Sequence, residues 1–146
     1  MEEKLAFLDE HYLSHFDYLD VDSVIQEQKA FGACRDVTLE YPVAENDGEE
    51  DNTYLSYNMV VGNAADSQMA MAFEVLDYAL LSAPGAPLKQ ALLDVKAGKD
   101  VYGSYDDGIL QPYFTVIAKG SNPDRKEEFV SVIRQVLGDI CLLYTS

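Results

Sequence analysis

The chain has 146 residues, about one domain's worth, with 48% hydrophobic and 11% aromatic residues, enough to build a core and to exclude wholesale disorder. Its 26 Asp and Glu against 10 Lys and Arg leave a formal net charge of -16, which repels phosphate backbones and disfavours nucleic-acid binding. It contains no run of about 18 apolar residues, the length a membrane-spanning helix needs, and Met1-Glu2-Glu3-Lys4 does not read as a signal peptide.

Residues 3–19 place Leu5, Leu8, Tyr12, Phe16 and Leu19 at steps of three and four, one stripe of a predicted amphipathic helix whose other positions are mostly acidic or polar. Val21 to Ala33 reads as mixed helix and loop. Val37, Leu39, Tyr41 and Val43 alternate with polar residues and Pro42, which predicts a strand at a sheet edge. Residues 44–52 form an acidic loop. Tyr54 to Val61 alternates most cleanly and predicts a strand.

Gly62-Asn63 ends that strand, and Asn63 or Asp66 suits the cap of a helix whose inner stripe is Met69, Phe73, Leu76 and Leu80. Pro84-Gly85-Ala86-Pro87 then predicts a rigid corner, with Pro87 opening a second helix that carries Leu88, Ala91, Leu92 and Val95. Gly98 suits the end of that helix. Val101–Tyr105 and Leu110–Ala118, joined through Asp106-Asp107-Gly108, read as a hairpin. Ser121-Asn122-Pro123-Asp124 starts a last helix bearing Phe129, Val132, Ile133, Val136, Leu137 and Ile140. The order predicts an α+β fold: a two-layer sandwich, mostly antiparallel, with helices on one face of the sheet. Residues 1–35 read as a helical linker-like segment, 36–140 as the α+β domain and 141–146 as a truncated or non-native tail.

The candidates for chemistry each have a plainer reading. His11 and His15 stand one helical turn apart, a spacing that can clamp zinc, yet Tyr12, Leu13 and Ser14 supply no glutamate base between them. Glu45, Asp47, Glu49 and Asp51 alternate like calcium ligands, but the glycine is misplaced and the flanks read as strands. Asp106 and Asp107 read as a turn rather than an acid–base pair. Tyr54, Tyr57, Tyr102, Tyr105 and Tyr113 read as strand packing. Gly98-Lys99 lacks the rest of a phosphate loop. Only Cys34 and Cys141 are present, too few for a thiolate zinc site or disulfide framework, which fits a reducing, cytoplasmic location. No catalytic, cofactor-binding or metal-binding residue is assigned.

Three stretches carry a resemblance: Tyr54-Leu55-Ser56-Tyr57-Asn58-Met59-Val60-Val61-Gly62, Leu80 through Asp94, and Gly98-Lys99-Asp100-Val101-Tyr102-Gly103-Ser104-Tyr105-Asp106. Together with Leu5 to Phe16 they resemble the presequence-protease branch of the insulinase-like (M16) zinc metallopeptidases, over about residues 4–138. The resemblance implies the second, non-catalytic domain of a zinc metalloendopeptidase that degrades unstructured peptides. It implies zinc in the parent enzyme and none in this chain, since the His-x-x-Glu-His signature is absent. Its implied partners are the catalytic and C-terminal domains of the same polypeptide, with peptide substrates reached through the parent. The family carries glycine where Lys96 stands, a departure in the turn after the Pro-Gly helix. The competing expectations are a stand-alone, non-catalytic peptide- or protein-binding module with the same fold, and a small enzyme using His11, His15 and a distant acid.

Overall fold

In the computed structural model, residues 1–44 and 48–143 are described. Their elements, in order, are α1 (Glu2–His11), a 3-10 turn (Leu13–His15), β1 (Thr53–Val60), α2 (Ser67–Asp77), a π-helical turn (Tyr78–Ser82), α3 (Pro87–Asp94), β2 (Asp100–Asp106), β3 (Tyr113–Ser121), a 3-10 turn (Pro123–Arg125) and α4 (Lys126–Leu143). The fold is α+β. Its sheet has three strands in the order β1-β3-β2, both pairings antiparallel.

β3 is central because it is the most apolar strand, and its alternate residues Phe114, Val116 and Ala118 are buried. Leu55 of β1 and Val101 of β2 join them on the same face, in register with Ala118. Leu80, Leu81, Leu88, Leu92, Phe129 and Ile133 bring the π-helical turn, α3 and α4 onto that face. The buried stripe of α4 matches its sequence spacing.

The corner between α2 and α3 is built as its residues require. Ala86 N–H donates to Ala83 O at 3.0 Å, and Gly85 takes φ +74° at the third position of the turn. Pro87 occupies the first turn of α3, where a missing N–H is harmless. Asp66 caps α2 by accepting from Met69 N–H at 3.0 Å. The π-helical turn inserts an extra residue at the end of α2, so the adjacent Leu80 and Leu81 are both buried, whereas Met69 and Leu76 stay partly exposed.

Four expectations are corrected. The helix over residues 3–19 stops at His11, because Tyr12 leaves helical geometry at φ -133°. Its apolar stripe has nothing to pack on, and an isolated helix this short has little stability of its own. Val21 to Ala33 contains no helix. Val37–Val43 forms no strand: Pro42 lacks a donor, and its apolar side chains remain exposed with no covering layer. Gly98 does not stop α3. Lys96 does, at φ +56°, the left-handed conformation that glycine would take most easily.

The last helix begins with a 3-10 turn and becomes α-helical at Lys126. It runs through Cys141 and Leu142 to Leu143, so the first half of the expected tail is helix. Residues 144–146 of that tail, and residues 45–47 of the acidic loop, lie outside the described residues.

Candidate functional site

The most unusual surface is the N-terminal third. Over residues 1–44 every described residue is exposed. Leu5 and Leu8 of α1, and Tyr12 just past its end, are 59%, 46% and 56% exposed. Phe7 turns to His11, ring centroids 4.4 Å apart, and also meets Tyr12 at 6.3 Å. Phe16, Tyr18, Leu19, Val24 and Ile25 continue the apolar series beyond the helix, all exposed.

Residues 17–43 form neither helix nor strand and make a strap tethered at both ends of β1. Near the β1 C-terminal end, Gln28 N–H donates to Gln111 Oε1 at 2.6 Å, and Gln111 Nε2 donates back to Gln28 O at 3.1 Å. Asn63 Nδ2 donates to Glu27 there as well. At the other end, Lys126 pairs with Asp36, and the Tyr41 hydroxyl donates to Asn52 O. The Tyr41 ring meets Tyr54 edge-on at 5.9 Å. Between these anchors Val21, Val24, Ile25, Phe31, Val37 and Leu39 remain exposed.

The sheet face opposite the helices is open along β1 and β2, with Thr115 of β3 buried between them. Cross-strand rows place Tyr54, Lys119 and Asp100 side by side, then Ser56, Ile117 and Tyr102, then Asn58, Thr115 and Ser104. Thr115 Oγ1 donates to Asn58 Oδ1 at 2.6 Å, and Ser56 Oγ donates to the same oxygen at 3.1 Å. Lys119 Nζ lies 5.9 Å from the Tyr54 ring centre. A groove of about 530 Å³, lined by Tyr41, Val43, Tyr54, Lys99 and Lys119 among others, joins this face to the strap.

The residues weighed for chemistry are scattered. His11 and His15 are exposed on α1 and the turn after it. Among the described residues no group of three His, Cys, Asp or Glu side chains could hold a metal ion. Glu45 and Asp47 lie outside the described residues. Asp51 is bound by Asn122, whose side-chain hydrogen bond, with that of Lys99, holds the carboxyl below its usual range.

Asp106 accepts from Gly108 N–H at 3.0 Å and from the Tyr113 hydroxyl at 3.1 Å, which makes it a turn residue and raises the Tyr113 pKa. Burial raises the Tyr105 hydroxyl, with Asp107, Glu74 and Asp66 adding repulsion to its ionised form. Tyr105 stacks on Phe73 at 5.5 Å. Tyr57 and Tyr105 pack on the helix side of the sheet, Tyr54, Tyr102 and Tyr113 on the other. The apolar stripe of residues 3–19 is exposed, and the acid groups threaded through it are the sequence signal of a water-facing segment.

No family model matches the chain. It is 39% identical over 139 residues to a protein named HypA from Clostridium perfringens (strain 13 / Type A), a match covering 95% of this chain and 14% of that protein. The chain therefore spans about one-seventh of the length of this relative.

These findings correct the metallopeptidase assignment. The protein matched over nearly the whole chain bears the name HypA and not the name of a peptidase, and no family model matches the chain. Membership of the M16 family and the role of a peptidase's non-catalytic domain are withdrawn. So are the zinc assigned to a parent enzyme, the statement that this chain itself takes none, and the partner domains and peptide substrates. No helix among the described residues is long and apolar enough to cross a membrane.

Proposed function

We propose that this chain is a protein-binding domain, in which the α+β body holds up the N-terminal third as a contact surface. The observation that carries the reading is the exposure of Leu5, Leu8, Tyr12, Phe16 and Leu19, at least 46% each, on a chain that already has a closed core elsewhere. Large apolar groups kept in water at such density mark a surface made for contact. The match to HypA reaches into this third, since 139 of the 146 residues are covered. Since only seven residues fall outside the match, most of the exposed series lies within it.

The proposal divides the chain into the linker-like segment 1–35 and a following α+β unit that includes α4 as far as Leu143, and places it in the cytoplasm, where surface cysteines such as Cys34 stay reduced.

A photo-crosslinking residue at Leu8, installed in the full chain in cells, tests this. The reading expects one discrete protein adduct from Leu8 and none from Gln135, an exposed position on α4. No adduct from Leu8, or equal labelling from Gln135, would reject it.

A further inference from the structure

The negative charge of the chain is unevenly placed. Residues 1–52 carry 15 Asp and Glu against 3 Lys and Arg, whereas the remaining residues carry 11 against 7. Three-quarters of the net charge of -16 therefore sits on about a third of the chain, the same third whose apolar side chains face water. On α1, Glu2, Glu3, Asp9 and Glu10 accompany Leu5 and Leu8, with Tyr12 following just past the helix end. Farther on, Asp17, Asp20 and Asp22 alternate with Tyr18, Leu19, Val21 and Val24.

From this complementarity we infer that the N-terminal third docks on a protein surface in which basic side chains rim an apolar groove. This rests on the protein-binding reading above and adds the chemistry of the partner. A second copy of this chain is a poor occupant, because it would bring the same acidic segment against the first. An anionic membrane or a nucleic acid would repel it for the same reason. The apolar stripe requires a groove, since polycations alone would leave Leu5, Leu8 and Tyr12 in water. A basic rim speeds encounter and the groove supplies the burial that holds the complex.

The test uses the full chain and three labelled synthetic 18-residue peptides: an amphipathic Leu/Lys helix, its Leu/Gln counterpart, and oligolysine. The Leu/Lys peptide should bind at least about ten-fold tighter than either other, and weaken about ten-fold between low and high salt as the charges are screened. Leu5→Ser with Leu8→Ser should weaken it about ten-fold by removing buried apolar area. Glu2→Gln, Glu3→Gln, Asp9→Asn and Glu10→Gln together, which leave the apolar stripe intact, should do the same by reducing attraction.

Equal binding of the Leu/Gln peptide would overturn the basic partner and leave the protein-binding reading standing. Oligolysine binding as tightly as Leu/Lys would overturn the groove. Self-association in sedimentation at equilibrium would assign the surface to a second copy and overturn the inference. Failure of all three peptides to bind would remove the inference, with the Leu8 crosslink deciding the broader reading separately.

Discussion

Asp51 and Asn122 hold each other by two reciprocal hydrogen bonds: Asp51 N–H donates to Asn122 Oδ1 at 2.9 Å, and Asn122 Nδ2 donates to Asp51 Oδ1 at 2.8 Å. The pair joins the residues leading into β1 to those leading out of β3, and Lys99 adds an ion pair to Asp51 at 3.3 Å. It also absorbs the Asn122 side chain, which therefore does not cap the helix that follows.

Replacing Asn122 with alanine should lower thermal stability and change its pH dependence. The Asp51 pKa is depressed in the folded chain, so its contribution is present above the ordinary value of 3.8 and is lost as pH falls through the lower folded value. The gap in Tm between wild type and Asn122→Ala should accordingly be widest near neutrality and narrow in acid. A gap independent of pH would show that Asp51 is not the group being held.

Gly103 faces a wall. A Cβ there would lie 2.3 Å from Thr115 O and 2.4 Å from Leu81 Cδ1, contacts that atoms do not make. Gly103→Ala should destabilise by about 3 kcal/mol through overpacking, seen as a lower urea midpoint at unchanged slope. Leu81 is the residue the π-helical turn swings inward, so this clash links the distortion of α2 to the bare backbone of β2.

Lys96 stands at φ +56° where the chain leaves α3, a conformation that costs a residue with a Cβ about 1 kcal/mol. Lys96→Gly should raise stability by roughly that amount, reduced by the extra freedom glycine gives the unfolded chain. A decrease would mean the Lys96 side chain makes a contact that outweighs the strain.

Asp77 has a buried Oδ1 with no hydrogen-bond partner, and burial raises its pKa above 3.8. A raised carboxylate favours folding when protonated, so the benefit is full below pH 3.8 and disappears as pH rises through the folded value. Asp77→Asn, which cannot ionise, should therefore be more stable than wild type near neutral pH, with the difference shrinking in acid.

Much of the body was legible because local and global signals agree there. Pro84-Gly85-Ala86-Pro87 can make little except a turn into a helix, and the alternation of β1 and β3 matches one buried face. The N-terminal third was misread for a physical reason. Periodicity reports which side chains share a face, and says nothing of whether that face has a partner. The stripe of α1 and the alternation of Val37–Val43 are real in the sequence, yet no element packs on either. The candidate surface thus lay in the residues read as linker and edge strand, and chemistry-bearing pairs such as His11 and His15 proved to be exposed neighbours on it.

The central claim is that the apolar side chains of the N-terminal third serve a partner and not the core, and one melting comparison tests it. The triple variant Leu5→Ser, Leu8→Ser, Phe16→Ser should melt within about 2 °C of wild type, since exposed substitutions change stability little. Phe129→Ala, which empties a position only 1% exposed, should lose about 3–5 kcal/mol and about 10 °C. A triple variant that melts as early as Phe129→Ala would place the stripe in the core and contradict the account.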